Sequence, residues 1–435
     1  MTRVVCHADI ADVPLRRAVG DVHVVLYGRG RMPDGIARLG AGVMDAVSRI
    51  GFALREDAFD FLTIALAVTA ADTFVLRELA EDRWSRRLEL SVPLINPRLW
   101  GAVRAQLEEA LRFLSGDSWS LSFQRGGPRR PSQAVIDGRR RRIDLSRSES
   151  ACLFSGGLDS YIGALDLIAQ GERPLLVSHA YRGDRRYQDR TAHALPVACA
   201  RFSANAHPTW SGPSDVSMRT RSFNFLAYGA AAATAISQMR AGNRVTLWVP
   251  ENGLIALNAP LTPRRIGSHS TRTTHPYFLQ SMQNILDAVG LPVAIVNPLR
   301  HQTKGEMVLR HARDPAFVAQ AVRTVSCGKW KRDGTQCGRC VPCLIRRASF
   351  HAADIADTTG YRSQVLAPVL GDIDLRDDLA SVRSAVRRAR QTAMEPWVLQ
   401  AGPLPQEQLE RDGCIEVFRR GIDELRSFLH ANGLP

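Results

Sequence analysis

Residues Ala151-Cys152-Leu153-Phe154-Ser155-Gly156-Gly157-Leu158-Asp159-Ser160 decide the fold of this chain. Their first four residues form a short apolar run with the look of a buried parallel strand. Behind the glycines, 161–170 is amphipathic and closes at Gly171, where a helix C-cap glycine is expected. Strand, glycine turn and helix start in succession aim backbone N–H groups outward at the positive end of a helix dipole, which suits phosphate. No Gly-Lys-Ser/Thr follows, so the turn is not a Walker A loop. A plain serine–glycine turn in an α/β sheet is the bland alternative.

At 435 residues the chain is long enough for two or three domains. A hydrophobic content of 45% with 23% charged residues marks a soluble globular protein. The N-terminus has no basic-then-apolar signal pattern, and the longest apolar stretch, 61–71, falls far short of a bilayer span. A cytoplasmic protein with no membrane partner is the expectation. The net charge of +14 favours anionic partners, ATP, pyrophosphate or RNA among them. Only Lys304, Lys329 and Lys331 are lysines; every other basic side chain is arginine. Where lysine persists against that bias, an arginine's planar fork is the wrong shape for the task.

Residues 1–123 read as an added α+β N-terminal domain suited to partner docking. Within it 57–79 and 97–114 are helical in period, while 87–95 and 119–123 read as strands. An arginine-rich linker follows over 124–150, with a hairpin turn expected at Asp137-Gly138. From 151 strands and helices alternate: strands at 174–180, 244–250 and 292–297, and a long alanine-rich helix over 222–240. That alternation predicts a doubly wound parallel α/β sheet over 151–357, with ligands at the carboxyl ends of its strands. The tail, 358–435, is mostly helical, clearest over 375–390 and 409–429.

Four of the eight cysteines fall within seventeen residues, as Cys327-x9-Cys337-x2-Cys340-x2-Cys343. Four thiolates close a tetrahedral structural zinc site and leave the metal no open position for catalysis. Gly338 permits the tight turn between ligands, and Arg346 and Arg347 stand ready to offset the thiolate charge. A redox pair needs fewer thiols. Spacing alone leaves an iron–sulfur cluster open.

The glycine loop resembles the SGGxDS loop of the PP-loop ATP pyrophosphatases, of the adenine nucleotide α-hydrolase type, which cleave ATP between the α- and β-phosphates and adenylate a substrate. Loop and cysteine cluster together resemble the 7-cyano-7-deazaguanine synthase (QueC) family. The order matches: Phe154-Ser-Gly-Gly-Leu-Asp-Ser, a helix start near Arg219-Thr-Arg-Ser-Phe-Asn, Lys304-Gly-Glu, then the cysteines from Ser326-Cys onward. The resemblance covers roughly 150–354. It implies ATP-dependent activation of a 7-deazaguanine carboxylate for attack by ammonia, a C–N ligase using ATP, Mg²⁺ and Zn²⁺. The long N-terminal extension and the runs Pro250-Glu-Asn-Gly and Thr271-Arg-Thr-Thr-His-Pro are similar to the QueC-like QatC proteins of Qat anti-phage defence operons. That likeness implies other operon proteins as partners, one of them a possible source of the attacking amine. A tRNA-modifying PP-loop enzyme and a non-catalytic nucleotide-binding subunit are the alternatives.

Within this reading Ser155, Gly156, Gly157, Leu158 and Ser160 cradle the pyrophosphate. Asp159 either contacts Mg²⁺ or caps the helix. Arg219 and Arg221 open a long helix where cations oppose the dipole, a placement that hints at gripping phosphate or carboxylate. Lys304 is expected to contact phosphates or the adenylate. Glu251 and Asn252 follow a strand at the ligand edge of the sheet, where Glu251 suits a guanine-like N–H edge. His275, beside Arg272, is a candidate general base for the amine, and Arg272 a substrate contact.

Overall fold

The computed structural model describes residues 1–181, 183–215, 219–261, 269–330 and 334–434; Lys331 lies outside them. Two five-stranded sheets organise the chain, and every pairing in both is parallel. The first contains β1 (Thr2–His7), β2 (Val22–Leu26), β3 (Ile36–Leu39), β4 (Arg87–Leu94) and β5 (Ser118–Arg125), in the order β3-β2-β1-β4-β5. The second contains β6 (Ala151–Leu153), β7 (Leu175–His179), β8 (Arg201–Ala204), β9 (Val245–Trp248) and β10 (Val293–Val296), in the order β10-β9-β6-β7-β8. This is the predicted doubly wound α/β architecture, and all four strands expected in the second sheet are present.

The N-terminal part differs from its α+β expectation, because its sheet is wholly parallel. Short strands such as β2, buried at all five positions, carry no polar alternation that would announce them. The hairpin expected at Asp137-Gly138 is instead a one-turn helix, Gln133–Asp137, capped by the Ser132 side chain and ended at Gly138 with helical φ. The 97–114 helix breaks at Val103 into Pro97–Ala102 and Arg104–Ser115.

Between the sheets lies a pair of helices, Glu56–Phe74 and Arg221–Met239, packed on one another. Eighteen residues of the first are buried, from Asp57 through Phe74, so it is enclosed on every side as an interior helix is. Alanine at 230–233 and 235 lets the second approach closely. One hydrophobic core therefore runs from Val4 and Val24 in the first sheet through Phe61 and Phe223 to Leu247 and Val293 in the second. A separate core joins the C-terminal helices, including Gln408–Ala431, to the helix Val341–Ala352. No helix among the described residues is long and apolar enough to cross a membrane.

The Arg221–Met239 helix shows why its cationic start is tolerated. Asp72, at the end of the buried Glu56–Phe74 helix, accepts from the Thr220 N–H at 2.8 Å and the Thr220 hydroxyl at 2.9 Å. A carboxylate from another element thus meets the positive end of the dipole. Its other oxygen takes Arg77 at 3.0 Å and Arg86 at 2.5 Å, and both guanidiniums also pair with buried Asp117. Removing one member leaves uncompensated charge in the interior, a loss of about 3–5 kcal/mol. Asp72→Ala is therefore expected to lower the unfolding free energy by that amount, seen in an equilibrium urea titration as a lower midpoint with the slope unchanged.

Candidate active site

Strand order places the site. From β6 the chain moves outward to β7 and β8, then crosses back to lay β9 and β10 on the other side, so the switch point falls between β6 and β9. Loops leaving the carboxyl ends of those two strands diverge and open a crevice there. The β6 loop is the Ser155–Ser160 segment, and the β9 loop carries Glu251 and Asn252.

At the β6 loop Gly156 holds φ at 78°, in the left-handed region. A Cβ there would also stand 2.9 Å from the Tyr187 ring and 3.0 Å from the Gln188 Cα, so glycine is required twice over. The helix Leu158–Ala169 starts from Gly157, and no side chain caps it among the described residues. Its first N–H groups are thus left to a ligand. Ser155 and Ser160 face each other with hydroxyls 3.2 Å apart; Ser155 accepts from the Gly157 N–H, and Ser160 donates to the Gly157 carbonyl. Gly163, one turn on, packs against Pro250, bringing helix and β9 loop together.

Asp159 is not the cap. Its carboxylate turns across the crevice, where Oδ1 pairs with Lys304 Nζ at 2.8 Å and Oδ2 accepts from the Asn252 side-chain amide at 2.7 Å. Burial opposes its charge, but Lys304 and these hydrogen bonds outweigh that and hold the carboxyl at about 2. Glu251, hydrogen-bonded to Asp159, is pushed the other way by burial and by the Asp159 charge. The raised Glu251 carboxyl holds its proton beside a charged Asp159, so the acceptor role expected of Glu251 requires it first to give that proton up. Asn252 also caps the helix Gly253–Leu257, and Asn297, after β10, braces the Glu251 backbone on both sides.

Lys304 is 4% exposed and is the first residue of the helix Lys304–His311. That helix opens with a capping box: Thr303 accepts from the Glu306 N–H and Glu306 accepts from the Thr303 N–H. Arg221 stands at the neighbouring β7 edge, 3.4 Å from Asp184 and over the Tyr181 ring. Asp184 begins the helix Arg185–His193, whose Tyr187 and Gln188 flank Gly156. Loop, Asp159, Glu251, Asn252, Lys304 and Arg221 therefore gather at one edge of the second sheet.

Three other candidates have different company. Arg219, 5% exposed, donates to the Ser115 carbonyl at 2.9 Å and lies 3.9 Å over the Trp84 ring. Its contacts are thus with Trp84 and the end of the helix Arg104–Ser115 in the N-terminal part, in place of the phosphate grip expected of it. Arg272 donates to the Phe113 carbonyl and stacks on that ring. His275 is fully buried and caps the helix Pro276–Ala288, its Nδ1 accepting from the Tyr277 N–H. With one nitrogen committed as acceptor and the other carrying the ring proton, no lone pair is left for an amine. Burial, with Arg272 adding to it, lowers its pKa to about 3. The general-base expectation for His275 is corrected on that ground.

The four clustered cysteines are buried, with all sulfurs within 4.8 Å of one another. Cys327–Cys340 and Cys337–Cys343 are each 3.9 Å apart. A tetrahedral zinc ion bonded at about 2.3 Å requires sulfur separations of about 3.8 Å, so the donor set fits one such ion. Backbone N–H groups of Lys329, Cys337 and Cys340 point at the sulfurs, as they do toward thiolates. Of the two arginines expected to offset the cluster's charge, Arg347 interacts electrostatically with Cys343 while Arg346 is engaged elsewhere. Arg346 is buried with Thr324 and the Ala321 carbonyl, while Arg347 holds the carbonyls of Gly338, Ser363 and Gln364. The knuckle reaches the crevice through the segment 324–326 that leads into it. Gln336 ties Ser326 and Thr324 down, and the Val325 carbonyl lies where a Gly157 Cβ would meet it at 3.2 Å.

Comparison with known proteins bears on this half of the chain. The family model described as Queuosine biosynthesis protein QueC matches residues 273–354, which include Lys304 and all four cysteines but not the β6 loop. The 7-cyano-7-deazaguanine synthase of Thiobacillus denitrificans is 33% identical over 92 residues, 20% of this chain and 40% of the relative. That of Paracoccus denitrificans is 38% identical over 89 residues, 20% of this chain and 36% of the relative. A shorter stretch, 44 residues at 50% identity, aligns with the same enzyme of Nitrosomonas europaea, 10% of this chain and 19% of that relative. The chain thus spans 40% or less of the length of these relatives, through a QueC-like stretch.

Two measurements follow from these contacts. Elemental analysis is expected to find one zinc per chain, and Cys340→Ser to reduce it severalfold; a stoichiometry well below one in the wild type counts against the knuckle. For His275, the unfolded residue takes a proton near 6.5 and the folded one only near 3, so its contribution to stability is complete above about pH 6.5. That contribution declines by about 1.4 kcal/mol per pH unit as pH falls toward 3. His275→Asn, which keeps a capping side chain, is expected to flatten the stability–pH curve across that window.

Proposed function

We propose that this chain is a QueC-like adenylating enzyme. It binds ATP at the β6 loop, transfers AMP to a carboxylate of 7-deazaguanine type, and lets an amine displace the AMP. The observation that carries the reading is the uncapped start of the Leu158–Ala169 helix, beside a buried Lys304–Asp159 pair. The uncapped first-turn N–H groups of Leu158 and Asp159 suit the departing pyrophosphate, and fixed donors aimed at charge that grows during reaction lower its barrier. Lys304 adds a compact positive charge, with Arg221 at the rim. The likeness of 273–354 to QueC supports a deazaguanine-type substrate.

Asp159 offers Mg²⁺ a carboxylate whose oxygens already serve Lys304 and Asn252. The ion that accompanies ATP would therefore take the place of one of those partners. Zinc, held by Cys327, Cys337, Cys340 and Cys343, would serve a structural purpose, fixing the Val325 segment against the β6 loop. Residues 1–123 lie outside the matched stretch and suit docking of a partner protein, in keeping with a Qat-type defence role and an amine supplied by that partner.

The test is incubation of the chain with ATP and 7-carboxy-7-deazaguanine, with and without operon partners, following AMP, pyrophosphate and product masses. AMP formation dependent on the base is expected. Lys304→Ala should lower kcat/KM by about a hundredfold or more, the loss of about 2.7 kcal/mol at the transition state. No AMP under any combination would leave a nucleotide-binding subunit.

A further inference from the structure

Lys304 occupies an electrostatically poor position. It is buried at the first residue of a helix, where the positive end of the dipole repels an ammonium. Asp159 compensates from the front. Behind the same turn stands a second carboxylate, from a distant part of the chain. The Thr303 hydroxyl donates to Glu424 Oε1, and the Gly305 N–H donates to Glu424 Oε2 at 3.2 Å. Gly305 is what admits it, since a Cβ there would lie 2.6 Å from the Glu424 carboxyl carbon.

Glu424 belongs to the C-terminal helix Gln408–Ala431, which holds the approach to Lys304 at two further points. Glu410 takes Arg300 through paired contacts of 2.7 and 2.6 Å. Arg420 donates to the His301 carbonyl at 2.8 Å and to Glu306 at 2.6 Å. Residues 300–306 are thus clamped at three points along about four turns of one helix that lies wholly beyond the QueC-like stretch.

We propose that Glu424 is a positioning residue for Lys304: by accepting from Thr303 and Gly305 it sets the first helical turn so that the ammonium reaches Asp159 and the phosphates. The link to phosphates rests on the adenylating function proposed above; the link to Asp159 does not. Without Glu424 two donors lose their acceptor, and Lys304 swings toward solvent.

The scarcity of lysine makes this measurable. Full-length wild type, Glu424→Ala and Glu424→Gln are treated with a lysine-selective acylating reagent, and Lys304 and Lys329 modification rates are read by peptide mass spectrometry. Lys304 should react at least roughly tenfold faster in Glu424→Ala and by a smaller factor in Glu424→Gln, which keeps one acceptor, with Lys329 unchanged. In the ATP assay kcat should fall by roughly tenfold while KM for ATP stays near its original value. Unchanged Lys304 reactivity in both variants would overturn the proposal, and so would equal acceleration at Lys304 and Lys329, which marks general loosening. A wild type that forms no AMP would refute adenylation instead, leaving the labelling comparison to decide the part played by Glu424.

Discussion

An ammonium and a carboxylate buried against each other, as Lys304 and Asp159 are, tolerate little displacement. Each has lost most of its hydration, and only contact with the other, plus hydrogen bonds to the remaining lone pairs, offsets that cost. The pair therefore dictates that the loop after β6, the loop after β9 and the helix after β10 arrive at one point. Asn252 completes the set by serving Asp159 while capping its own helix. Glycines do the spatial work around it. Gly163 lets the Pro250 loop in, and Gly156 lets the helix bearing Gln188 close over the turn.

The second sheet was legible because its strands are short, apolar and separated by helices, a pattern with one ready solution. The glycine turn that leads from β6 into its helix was legible for the same reason, its signal written in consecutive residues. What sequence could not convey was company across the chain. Arg219 and Arg221 sit two apart at a helix start, yet one is buried under Trp84 and the other remains at the sheet edge. His275 looked like a base in a polar loop, and only burial and its bond to Tyr277 reveal a cap. Thr303-x-x-Glu306 carried the capping-box signature and was available to be read. Glu424, more than a hundred residues from its partners, carried no signal of any kind.

The first sheet escaped notice as a parallel unit because strands such as β2 lack alternation and the helix Glu56–Phe74 is buried all round. A helix buried along every face cannot lie on one sheet with its other side in water. Its partner had to be another buried surface, and the alanine-rich Arg221–Met239 helix is that surface. The Asp72 carboxylate then closes the arrangement by meeting the one helix end whose own sequence is wrongly charged for it.

That sandwiched helix has a consequence during synthesis. Residues 56–74 leave the ribosome well before 221–239 have been made. At ordinary elongation rates the interval is about ten to thirty seconds. For that period the nascent N-terminal half carries a greasy cylinder with one flank still uncovered. A cell producing this protein has to shelter that flank until the second half arrives, and a truncated message ending in between would yield a product prone to clumping.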